Sequence, residues 1–220
     1  MERRERQTGA TRNKIKMAAL ALFCKNGIEA TDWKRIAADA GVSRRTMYHH
    51  YTGKESLAAE LYLDNLRNLS EALAPELNVD NLLKSLENQL ERYLQLRIEH
   101  PEWLYFDIQF QLYYSSLGKN PGDLPEYESI LEGSFQSLLA EGVLLGKDDS
   151  EEWGKAMDAL FASSRLFYDY LQKSVVHSWQ RDKRYGEDSR AADNGFKRFL
   201  LAGAAALLHR SEKPDQISPL

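Results

Sequence analysis

Apolar positions recur every three or four residues along nearly the whole chain, and strand-like alternation is almost absent. That periodicity predicts an all-α protein of about nine helices. The first is expected over Thr11–Asn26, with Ile15, Ala18, Ala19, Leu22 and Phe23 on one face and Gly27 closing it. Thr31 is the expected N-cap of a short second helix, Asp32–Asp39, with Ile36, Ala37 and Ala40 inward. Ala40-Gly41-Val42 reads as a turn in which Gly41 takes a positive φ at no Cβ cost. Ser43 then caps a third helix, Arg44–His50, in which Met47 and the following Tyr51 look inward.

The fourth helix is expected over Lys54–Leu73, with Leu57, Leu61, Leu66 and Leu69 inward, and is ended by Pro75. A fifth begins at Asn78 or Asp80 and stops at Pro101, with Leu82, Leu83, Leu86, Leu90, Leu94 and Ile98 inward. The sixth, Glu102–Leu117, is aromatic: Trp103, Tyr105, Phe106, Phe110, Tyr113 and Tyr114. After a loop at Gly118–Asp123, Pro125 opens a seventh helix carrying Tyr127, Ile130 and Phe135. The eighth runs from Ser150 to Lys173, and His177–Ser189 is a polar loop. The ninth covers Arg190–His209.

Two short helices over a Gly-containing turn form a helix-turn-helix, with the second helix placed to enter a DNA major groove. The expected organisation is a helix-turn-helix domain at 1–56, a larger helical domain at 57–210 and a flexible tail at 211–220. Residues 1–10 are charged, lack periodicity and read as a flexible arm, with Arg3, Arg4 and Arg6 able to reach phosphates.

Charge sharpens this division. The net charge is −4, but the first 60 residues hold 12 Lys and Arg against 7 Asp and Glu, leaving 17 against 26 in the remainder. A basic head on an acidic body suits a protein that touches phosphates with one end. Apolar residues make up 43% of the chain, enough for a real core. Cys24 is the only cysteine, which excludes an intrachain disulfide and a thiol-based metal site, and it reads as a small helix residue rather than a redox sensor. The amino terminus has no apolar signal region, and the longest apolar run, Phe199–Leu208, is about half a membrane span. A soluble cytoplasmic chain without membrane contact is expected. No His-Glu-x-x-His pair, phosphate-cradling Gly loop or Gly-x-Ser-x-Gly elbow is present, so neither an enzyme nor a cofactor is expected.

The third helix carries the candidate chemistry. An Arg at its amino-terminal end, Arg44 or Arg45, can bind guanine bidentately or hold a phosphate. Thr46 can serve a phosphate or touch a thymine methyl. Lys54 offers a phosphate contact at the next helix start, and Thr31 one at the preceding helix. His49 and His50 face directions about 100° apart, which disfavours a shared metal ion and leaves both on the DNA-facing helix.

The segment from Thr11 to Leu57 resembles the amino-terminal domain of the TetR family of bacterial transcriptional regulators. The resemblance is carried by Thr11-Arg12-Asn13-Lys14-Ile15, Ala18-Ala19, Leu22-Phe23, Gly27-Ile28, Thr31, Ile36-Ala37, Ala40-Gly41-Val42-Ser43, Thr46-Met47-Tyr48-His49-His50-Tyr51 and Lys54-Glu55-Ser56-Leu57. Trp33, where a smaller apolar residue is common, and Arg45, where Gly is frequent, depart from it. The resemblance implies phosphate contacts from Tyr48 and His50. It also implies a homodimer on a palindromic operator, paired through the last two helices, with Phe196, Phe199, Leu200, Gly203, Ala204 and Leu207 as the candidate face. It further implies a small-molecule pocket between helices four and eight. Its candidate walls are Trp103, Phe106, Gln109, Phe110, Tyr113, Phe135, Trp153, Phe161, Phe167 and Tyr168, although such a stripe is more often a core pattern. The function implied is a repressor released by a hydrophobic or aromatic effector. A helical adaptor, or an activator without small-molecule sensing, is the alternative.

Overall fold

The computed structural model describes residues 2–73, 81–130, 154–155, 158, 162–171, 173 and 187–211. The described residues are helical or turn, with no strand among them, and divide into two compact units. The first holds Met1–Asn68 and Glu102–Ile130; the second holds Leu69–Pro101 and Leu131–Leu220. The division therefore does not fall after residue 56. Most of the fourth helix and nearly all of the sixth belong with the amino-terminal head.

In the head, α1 (Glu2–Asn26), α2 (Trp33–Asp39), α3 (Arg44–His50), most of α4 (Lys54–Leu73) and α6 (Pro101–Ser116) share one core. α1 begins well before Thr11, so the expected arm is helical; Glu, Arg and Gln are good helix formers and need no apolar face for that. Gly27, at φ 80°, ends the helix, its N–H donating to the Phe23 carbonyl at 2.8 Å. Ile15, Phe23, Ile36, Met47 and Leu57 are fully buried. Against them packs the aromatic face of α6. Phe106 stacks on Phe23 at 6.2 Å between ring centroids, and Phe110 stacks on Tyr62 of α4 at 4.4 Å and on Tyr114 at 4.9 Å. Phe106 and Phe110 are therefore packed within the core of the head. Asp107, also buried, accepts from the Asn65 amide, which in turn donates to the Trp103 carbonyl. The polar groups of α6 are thus used to tie it to α4. Beyond α6, Pro121–Asp123 forms one 3-10 turn, and residues 127–130 are helical.

The second unit contains α5 (Leu82–Glu99), a helical segment at 162–171 and a carboxyl-terminal helix, α7 (Glu187–Ser211). Asn81, not Asn78 or Asp80, caps α5: its side chain accepts from the Lys84 amide at 2.9 Å. The buried stripe of α5 includes Leu86, Leu90, Tyr93, Leu94, Leu96 and Arg97, whereas Ile98 is turned outward at 53% exposure. Tyr93 meets Tyr168 at 5.5 Å, and Phe167 stacks on Phe196 of α7 at 6.0 Å. Inside this apolar packing, Arg97 and Asp193 form an ion pair at 2.6 Å, both almost wholly buried, and Ser164 donates to Gln89 at 2.8 Å. α7 begins at Glu187, three residues before the expected start.

Candidate nucleic-acid interface

Local chemistry sets the angle between α2 and α3. Gly41 sits at φ 66°, and the Val42 amide reaches back to the Ala37 carbonyl at 3.0 Å, closing α2. Ser43 is extended, and its hydroxyl accepts from the Thr46 amide at 3.1 Å, opening α3. One residue of α3, Met47, is fully buried, and Tyr51 behind it is nearly so. Everything else on this two-turn helix faces out or sideways. Arg44, Arg45, Tyr48 and His49 are exposed, while Thr46 and His50 are half-buried. Among the described residues neither Arg44 nor Arg45 is drawn into an ion pair, so both guanidinium groups keep their donors for a ligand.

Tyr51 holds the far end of α3. Its amide donates to the Met47 carbonyl at 2.9 Å, and the Arg12 guanidinium lies 5.3 Å from its ring centroid. Arg12 is itself fixed by the Glu60 carboxylate, and Lys16 by Asp64 at 2.6 Å. α1 and α4 are thereby latched beneath the recognition helix. Burial first, then the neighbouring His49 and the Arg12 charge, lowers the His50 pKa below its ordinary value. The His49 and His50 rings meet edge-on at 5.4 Å, and among the described residues no set of three side chains could hold a metal ion.

Thr31 is placed differently from expectation. Its side chain is buried, and its hydroxyl donates to the Gly27 carbonyl at 2.6 Å and toward the Leu22 carbonyl at 3.3 Å. It locks the end of α1 and is turned away from any phosphate. Asp32 is the cap of α2, accepting from the Lys34 amide at 2.8 Å. A carboxylate is a stronger acceptor than a hydroxyl and complements the helix dipole, which explains why the cap falls one residue later. Lys54 opens α4 as expected, and its ammonium donates to the Glu29 carbonyl; two of its three N–H groups are left for a phosphate.

The other expected sites scatter. Gln109 lies in the head near Gly27, and Tyr113 lies on the charged start of α4, where burial first and the Glu55 carboxylate second raise its phenol pKa. Trp103 is half-buried. Phe167 and Tyr168 are buried in the second unit, and Phe135, Trp153 and Phe161 lie outside the described residues. On α7, Leu200 and Ala204 are buried within the chain, and Phe196 is half-covered by Phe167. Phe199, at 70% exposure, and Gly203 do face out, and the Leu207 side chain lies outside what is described. Cys24 is buried, and its thiol pKa is pushed up to about 12 by that burial, so it is a core residue without nucleophilic character.

Residues 15–61 match the model of bacterial regulatory proteins of the tetR family. Those residues form a TetR-family amino-terminal domain. The transcriptional repressor SCO4008 of Streptomyces coelicolor is 28% identical over 162 residues, 74% of this chain and 76% of that one. Two solved regulators share the TetR-family fold. One, from Marinobacter aquaeolei VT8, is 17% identical, with 92% of this chain and 97% of that chain covered and a TM-score of 0.54. The other, FadR from Bacillus subtilis in complex with stearoyl-CoA, is 19% identical, with 86% and 97% covered and a TM-score of 0.55. With this domain the chain is a DNA-binding transcriptional regulator and not an enzyme. No helix of the described residues is long and apolar enough to cross a membrane.

Proposed function

We propose that this TetR-family protein is a cytoplasmic repressor that binds a palindromic operator as a homodimer and leaves it when a small hydrophobic molecule occupies the second unit. The carrying observation is α3: one buried anchor, Met47, under an outward row of Arg44, Arg45, Tyr48 and His49. Arg44 and Arg45, at the helix start, read base edges; Tyr48, His50, Thr46 and Lys54 hold phosphates; Ser43 sets the helix start. The effector region is assigned to Phe167, Tyr168 and Tyr93, with Gln89 and Ser164 as the neighbouring polar groups. The Bacillus FadR neighbour, crystallised with stearoyl-CoA, supports a long apolar effector. Release follows if the effector prefers the conformation that does not bind DNA.

Selecting bound DNA from a random pool tests this reading. The selected duplex should carry an inverted repeat, and affinity should fall steeply with salt. Tyr48→Ala should weaken binding to every duplex, and Arg44→Ala should relax preference at one base position by roughly 1–3 kcal/mol. A Tyr48→Ala/Lys54→Ala chain that binds as tightly as the parent would refute the assignment.

A further inference from the structure

The residue that sets Tyr48 is not on its own helix. Tyr48 is 62% exposed, and a phenol so exposed on a helix surface samples several rotamers. Among the described residues its one ring partner is Trp33, the first residue of α2, with centroids 6.0 Å apart and planes tilted by 50°. That separation and tilt lie within the favourable range for an aromatic pair. Trp33 itself is half-buried and packed on the head core, so it is a fixed wall rather than a second mobile ring.

The indole carries a further sign. Its Nε1–H is buried and meets no acceptor among the described residues. A buried donor without a partner is destabilising, and a Phe, Leu or Val at this position would pack without that penalty. Core packing therefore does not account for an indole here. What the indole supplies beyond a smaller apolar side chain is a broad face turned to Tyr48.

We propose that Trp33 is a positioning residue for DNA binding: it fixes the Tyr48 ring so that the hydroxyl stands ready for a backbone phosphate. The proposal rests on the reading of Tyr48 as a phosphate contact. It makes Trp33 act on affinity for all duplexes alike and not on sequence preference, because a phosphate contact carries no base identity.

The test is a double-mutant cycle in the full chain, with binding measured on the DNA selected by the parent and on an unrelated duplex. Tyr48→Phe removes the hydroxyl and keeps the ring. Trp33→Val should weaken binding about fivefold on both duplexes, the scale of one aromatic pair. Trp33→Phe should stay within about twofold, since it keeps a ring face. In the Tyr48→Phe background, Trp33→Val should cost nothing further. Trp33→Leu replaces Trp33→Val if thermal melting shows the latter unfolded. An equal loss from Trp33→Val in both backgrounds overturns the proposal, because the indole would then act only by seating α2. A loss from Tyr48→Phe with none from Trp33→Val overturns it as well, leaving the phosphate reading intact. No loss from Tyr48→Phe removes both.

Discussion

Asp32 places a negative charge beside the surface proposed to meet phosphates. Its carboxylate caps α2 immediately before Trp33, whose ring meets Tyr48 of α3, so it neighbours that aromatic pair. The cap and the charge act in opposite directions. The carboxylate stabilises the helix start through the Lys34 amide and the dipole, and it repels the DNA backbone. Asp32→Asn separates the two effects, because the amide oxygen still caps while the charge is gone. Affinity for any duplex should rise about two- to fivefold at low salt, and the gain should shrink as salt screens it. Stability should fall by roughly 0.3–1 kcal/mol, the usual worth of a charge at a helix terminus. Anisotropy titrations at two salt concentrations and a thermal melt check both signs. Unchanged affinity would place Asp32 outside the DNA-facing surface.

At the scale of elements, the head is held by ion pairs between α1 and α4. Glu60 is half-buried, which on its own would raise its pKa; the hydrogen bonds and charge of Arg12, then of Lys16, reverse this and hold the carboxylate below its ordinary value of 4.5. A depressed carboxylate contributes stability that is present above the unfolded value and is lost as pH falls through the folded one. The parent should therefore lose melting temperature as pH drops below about 4.5, and Glu60→Gln should melt lower near neutrality but change less over that acid range. Parallel pH–melting curves decide it; identical slopes would mean that Glu60 is not part of the acid response.

The same elements show what could be read from the chain alone. The limits of α3 and α4 and the Gly41–Ser43 turn follow from short-range chemistry, caps and φ preference, and were legible. The cap of α2 was not: Thr31 is expected there, but its hydroxyl is spent on the Gly27 and Leu22 carbonyls, and the adjacent Asp32 accepts from Lys34 instead. Nor was the role of α6. An aromatic face at helical spacing states that something covers it, and Phe106 against Phe23 is a contact between residues distant in sequence that periodicity cannot name. Trp33 was visible as an oddity, and its partner Tyr48 was not.

For the molecule as a whole, the proposed pairing of two copies on one operator depends on the outward side of the second unit. Leu200 and Ala204 are spent on intrachain packing, and among the described residues of α7 Phe199 is a large apolar group turned outward, with Gly203 one turn further on; Leu166 of the 162–171 segment is also 54% exposed. A small residue beside a large one admits close approach of another helix, and two-fold pairing needs the same patch on both copies. Phe199→Asp places two charges within any such pairing. Because Phe199 is exposed in the isolated chain, the substitution should leave the fold of one copy nearly unchanged, within about 0.5 kcal/mol. It should convert the protein to a monomer in sedimentation and lower operator affinity at least about a hundredfold, since two half-sites no longer bind as a unit. Binding to a single half-site should be unaffected. A Phe199→Asp chain that still sediments as a dimer would move the interface off this face of α7, and full operator affinity from a monomer would remove the two-fold reading altogether.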